Sequence, residues 1–127
     1  MGILHSLLLA GAFFSTAFAE PDCVEHYTVK PYDSCWKISI EKSVALKNLI
    51  AWNQHRGNCA LYPGDVLCVA KYKVQCNRTH MVISNDWCWK IAKDNDIDLN
   101  KLVALNPNLV QSIDECNIHP GQQVCVG

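Results

Sequence analysis

Apolar residues change their spacing along this chain, and the changes outline its elements. Leu7 to Phe14 is almost wholly apolar. His26-Tyr27-Thr28-Val29-Lys30 is a short β-prone run stopped by Pro31, so it reads as a strand ending in a turn. Asp33 or Ser34 then supplies a helix N-cap, and Cys35, Ile38 and Ser39 fall on one face at helical spacing. Leu46, Leu49 and Ile50 repeat that spacing in a second short helix, and Asn53 marks its stop. A loop follows with Cys59, Pro63-Gly64 makes a turn, and Val66–Val69 is a closing strand. The series then recurs. Met81-Val82-Ile83 is a strand; Asp86 caps a helix with Cys88, Ile91 and Ala92; Asp98 caps one with Leu99, Leu102 and Val103; Gln123–Val126 closes. The pattern predicts an α+β fold, strand–helix–helix–strand, twice.

The recurrence extends to the letters. With the chain shifted by 53, 11 of the 31 positions from 23 to 53 are identical, including Cys35-Trp36-Lys37-Ile38 against Cys88-Trp89-Lys90-Ile91. Beyond that the shift becomes 57: Cys59 meets Cys116, Pro63-Gly64 meets Pro120-Gly121, and Cys68-Val69 meets Cys125-Val126. The second copy therefore holds four extra residues between Asn106 and Cys116, the mark of a loop. The expected organisation is a first unit at 25–70, a linker at 71–77 and a second unit at 78–126.

Composition adds the compartment. Residues 1–19 end in Ala17-Phe18-Ala19, which reads as a cleaved secretory signal despite an n-region with no Lys or Arg. No later apolar run is long enough to span a bilayer, so a secreted, extracellular protein is expected, with no membrane contact. All eight cysteines (Cys23, Cys35, Cys59, Cys68, Cys76, Cys88, Cys116 and Cys125) lie beyond the signal, four at matched places in each unit. An even count in a small secreted chain implies disulfides, which units of this size need as staples. The simplest arrangement keeps pairs within a unit, but spacing does not choose among the three pairings of four cysteines. Zinc is disfavoured because the closest two cysteines have seven residues between them. No metal or cofactor is expected. Asn77-Arg78-Thr79 is a sequon for N-glycosylation. A net charge of −1 gives no basic patch for nucleic acid, and a neutral ligand suits it best.

The strings "YTVKPYDSCWKIS", "AWNQHRGNCALYPGDVLCVA", "DWCWKIA" and "ALNPNLVQSIDECNIHPGQQVCVG" together carry a resemblance to the LysM domain, in the four-cysteine form of secreted fungal proteins. The resemblance implies two tandem βααβ modules and binding of N-acetylglucosamine polymers, chiefly chitin oligomers. It also implies an effector that sequesters chitin fragments from host immunity or shields hyphae, at the fungal wall, from chitinases.

In the family the ligand lies between the loop before the first helix and the loop after the second. Carried onto this chain, the first groove uses Asp33 and Ser34, opposite Asn53, Asn58 and Leu61. The second uses Asp86 and Trp87, opposite Asn106, Pro107, Asn108, Leu109 and Ile118. The family glycine before the aspartate is Tyr32 here, then Asn85. Asn takes positive φ more readily than Tyr, so a shifted loop is expected at Tyr32. The second unit keeps Asn-Pro in its later loop and is the expected stronger binder. Trp87 either stacks on a sugar or packs under its loop; Trp36, Trp89 and Trp52 are expected in the scaffold. Two sites on a short linker can clamp one sugar chain or bridge two, giving a ligand-induced dimer or oligomer.

Other classes fit less well. A glycosidase needs two carboxylates across a cleft, and the carboxylates shared by both copies, Asp33/Asp86 and Glu41/Asp94, suit caps and a solvated helix face. Every cysteine has a repeat partner, which argues against a Cys-His nucleophile. A structural wall protein and a peptidoglycan lectin remain as alternatives.

Overall fold

A computed structural model of the chain describes residues 22–54 and 59–127. The expected signal segment and Asn58 lie outside them. In chain order the elements are β1 (Glu25–Thr28), α1 (Cys35–Glu41), α2 (Leu46–Trp52), β2 (Val66–Ala70), β3 (Thr79–Met81), α3 (Cys88–Asp94), α4 (Leu99–Leu105) and β4 (Gln123–Cys125). This is the α+β, doubly repeated βααβ arrangement the pattern predicts. Among the described residues no helix is long and apolar enough to cross a membrane.

Each module closes a two-stranded antiparallel sheet. Tyr27 faces Leu67 across β1 and β2, and His80 faces Val124 across β3 and β4. Both first strands begin earlier than the pattern suggests and stop at Thr28 and Met81. Val29 and Val82 still bond across the module, to Asp65 and Gly64 and to Gln122 and Gly121, at the Pro-Gly turns just beyond the paired strands.

A two-stranded sheet is marginal by itself, so the helices must cover it. Ile38, Val44 and Leu49 pack with Leu67 and Val69 in module 1; Ile91, Leu102, Leu109 and Val110 pack with Val124 and Val126 in module 2. Disulfides Cys23–Cys68 and Cys76–Cys125 tie the N-terminal segment before each sheet to its last strand. Cys35–Cys59 and Cys88–Cys116 tie the first helical turn to the later loop. All four bridges stay within a module, and the pairing is nested.

Asn53 and Asn106 end α2 and α4 and do more than stop a helix. Each buried amide donates to a carbonyl one turn back and to the carbonyl of Cys68 or Cys125, while its oxygen accepts that cysteine's N–H. One carboxamide in each module thus stitches helix to sheet, with its own polar atoms satisfied.

The modules interlock. The Asn108 carboxamide oxygen accepts the N–H groups of Lys71 and Tyr72 at 3.0 Å each, and its nitrogen donates to the Tyr72 carbonyl at 2.8 Å. The Asn108 backbone carbonyl accepts Ala45 N–H and the Asn48 amide. Fully buried Gln122 reaches across to the Ser39 carbonyl at 3.1 Å, and Ser43 Oγ accepts the Gln123 N–H at 2.8 Å. The Trp36 ring meets His119 edge-on at 4.6 Å.

Candidate functional site

The loop before each first helix is built the same way in both copies. Tyr32 and Asn85 sit at φ 71° and 72°, each inside a turn closed by Asp33 N–H to Lys30 O or Asp86 N–H to Ile83 O. The expected shift at Tyr32 is therefore corrected: the tyrosine adopts the left-handed conformation, at a backbone cost of about 1–2 kcal/mol. Its ring is 98% exposed, so packing does not repay that cost.

The two aspartates are not the helix caps expected of them. Their side chains are 2% exposed and hold the loop from below. Asp33 accepts the Tyr27 hydroxyl at 2.6 Å and Lys30 N–H at 2.8 Å. These bonds, the tyrosine's first, hold its carboxyl below the usual range against the opposing effect of burial. In the second copy His80 replaces the tyrosine, with Nε2 2.8 Å from Asp86, and the Ile83 N–H adds a bond at 3.0 Å. The Asp86 carboxyl is lowered in the same way, chiefly by His80. Ser34 is the true N-cap of α1, its Oγ accepting Lys37 N–H.

The two copies differ at that cap. Trp87 stands where Ser34 does, and it gives α3 no side-chain cap bond. A missing cap of this kind costs about 1 kcal/mol. The indole is also 60% exposed, so the scaffold gains little from it. Trp89, expected in the scaffold, is 56% exposed on the same side, because Cys88 and Ile91 take the inward face of α3. Trp36 is corrected likewise: it is half exposed and faces the other module.

Trp87 and Trp89 form one wall of a cleft of about 410 Å³; Ile113 and Asp114 form the other, with Leu99 and the Cys88–Cys116 bridge between. The bridge fixes the separation of the walls. A short turn shapes the far wall: Glu115 N–H bonds the Ser112 carbonyl at 3.1 Å, and Asp114 N–H bonds Ser112 Oγ at 3.2 Å. Lys47 of module 1 pairs with Glu115 at 3.3 Å and braces the turn from outside. The cleft has two indoles, two aliphatic side chains and one carboxylate. It suits a ligand with apolar faces and polar edges.

Of the residues drawn from the family pattern, Trp87 alone lines this cleft. Asp86 lies beneath it; Leu109 and Ile118 are buried in the module 2 core; Asn108 faces module 1. Pro107 lies on another face, beside Trp52 and Tyr72. Asn53 and Asn106 are buried, and Leu61 packs on the module 1 core. Sequence reasoning placed Trp89 in the scaffold and passed over Ile113 and Asp114. A signal existed for the last two, since they fall in the stretch that holds the four extra residues of the second copy.

The model of the LysM domain matches residues 27–70 and 80–127. The chain belongs to the LysM family. It is 30% identical, over 84% of its length, to the secreted LysM effector ldpB of Aspergillus fumigatus, covering 43% of that protein. It is 26% identical to a non-secreted LysM effector of Gibberella moniliformis, over 88% of this chain and 15% of that one. A secreted LysM effector of Pochonia chlamydosporia is also 26% identical, with 88% and 16% covered. The chain thus spans less than half the length of these relatives. Among solved structures, the Bacillus cereus spore cortex-lytic enzyme SleL matches 81% of this chain and 22% of its own, at 22% identity and a TM-score of 0.35, too low to carry an argument.

Proposed function

We propose that this chain is a secreted, non-enzymatic LysM effector that binds chitin oligomers, chiefly through the Trp87 cleft of module 2. In this role it keeps chitin fragments from host sensing and shields hyphal walls. One observation carries the reading: a large indole replaces a helix cap, stays exposed, and faces a second wall held in place by a disulfide. N-acetylglucosamine offers what such a cleft takes, namely uncharged hydroxyls, an acetamide and apolar ring faces. The similarity to fungal LysM effectors supports the same assignment. In module 1, Ser34 caps its helix and Trp36 is engaged by His119, which supports module 2 as the stronger binder. Cleavage after Ala19, a glycan on exposed Asn77, and ligand-bridged oligomers complete the proposal.

Titration of the full chain with chitin hexamer tests it. Trp87→Ala should weaken binding roughly tenfold, since an aromatic stacking contact contributes about 0.5–1.5 kcal/mol beyond its buried area. An unchanged affinity would move the site elsewhere. Failure to be retained on insoluble chitin would favour a structural wall protein, and preferential capture by bacterial wall would favour a peptidoglycan lectin.

A further inference from the structure

The cleft holds one charged group, and its sign bears on which sugar it prefers. Asp114 lines the wall opposite the two indoles, and no Lys, Arg or His lines the cleft with it. Its carboxylate makes no hydrogen bond or ion pair among the described residues, its own N–H to Ser112 being the only polar contact it has. Neighbouring charges are already engaged: Glu115 with Lys47, and Lys90 with Asp86 and Asp94. Lys93 Nζ lies 5.1 Å from the centroid of the Trp89 ring, so that indole already has a cation of its own. The Trp87 ring has no aromatic or cationic partner among the described residues.

A neutral acetamide gains little from a carboxylate that it must partly desolvate. An ammonium gains twice, from the carboxylate and from an indole face. We infer that the cleft prefers a β-linked glucosamine-type chain carrying a free, protonated 2-amino group, that is, partly deacetylated chitin over the fully acetylated polymer. The inference rests on the chitin-binding reading above and names the form of that ligand. It applies to module 2 alone, because the matching loop of module 1 is four residues shorter and has Gly57 where the shift of 57 places Asp114.

Calorimetry on the full chain, at mildly acidic pH where the amine is protonated, compares a fully acetylated hexamer with one bearing a single free amine. The free amine should raise affinity roughly three- to tenfold, the size of an exposed ion pair plus a cation–π contact. Added salt should shrink that ratio, a readout that requires no variant. In Asp114→Asn the ratio should fall towards one. A wild-type ratio of one or below, or a ratio that Asp114→Asn and salt leave intact, overturns the inference while the lectin reading stands. Binding of neither hexamer overturns both.

Discussion

Gly64 and Gly121 occupy equivalent turns, at φ +96° and +98°, yet they differ in what surrounds them. A Cβ added at Gly64 meets nothing within 4 Å; one added at Gly121 meets Ile40 Cγ2 of the other module at 2.8 Å. Gly→Ala at each site pays the same backbone penalty, about 1–2 kcal/mol for a left-handed conformation. Gly121→Ala adds an overpacking cost of about 1–3 kcal/mol, because Ile40 is β-branched, sits in a helix and turns its γ-methyl aside only by leaving its preferred rotamer. The backbone penalties cancel, so the expected difference between the two variants is the overpacking cost alone, about 1–3 kcal/mol. Guanidinium unfolding followed by tryptophan fluorescence reads it, as a midpoint for Gly121→Ala lower by roughly half a molar than for Gly64→Ala. An Ile40→Ala background, which removes Cγ2 with the rest of the side chain beyond Cβ, should recover most of the difference between the glycine variants, since that carbon is the one atom within 4 Å of the added Cβ. Equal midpoints for the two glycine variants would refute the docked arrangement of the modules.

Other expectations follow from the same geometry. The Tyr27 hydroxyl, donated to Asp33 and buried beside its charge, has its pKa raised to about 12. The phenol remains neutral in the folded state after it would ionise unfolded, so its contribution is complete below pH 10 and is lost as pH rises through 12. Tyr27→Phe should flatten that part of the stability curve by on the order of 2 kcal/mol; a curve parallel to wild type would count against the bond. Asn108→Ala removes three hydrogen bonds between the linker and module 2, and should cost about 1–3 kcal/mol. Amide exchange at Lys71 and Tyr72 should speed up first, and unaltered exchange there would contradict the role given to Asn108.

Much of the scaffold was legible because local patterns encode it. The i, i+3, i+4 spacing of Leu46, Leu49 and Ile50 is a property of α2 alone, and the duplication reinforced each element by repeating it. Intramodule staples followed from the matched cysteines. The cleft was legible only in part. Trp87 stood out as a departure between copies, but Trp89, like Trp36, looked like scaffold because it sits on the first helix of its unit. Identical letters do not fix surroundings: both indoles are about half exposed, but Trp36 meets His119 of the other module whereas Trp89 borders an open cleft. Asp33 and Asp86 looked like caps because Asp before a helix usually is one. The Tyr27 hydroxyl and the His80 ring, each six residues earlier, reach them only once the strand has docked.

By itself, then, the sequence determined two βααβ modules, their stapling, and the loop in which the copies diverge, since propensity, period and cysteine count act over short distances. Tertiary structure alone decided the nested disulfide pairing, the burial of both aspartates, and the use of Asn108 and Gln122 as ties between modules. Those outcomes depend on which donors and acceptors meet across space. An Asn that could have faced a sugar instead meets two backbone N–H groups and a carbonyl brought to it by the linker. Asn108 is only half-buried, yet all its carboxamide bonds go to backbone groups that only the docked fold brings to it.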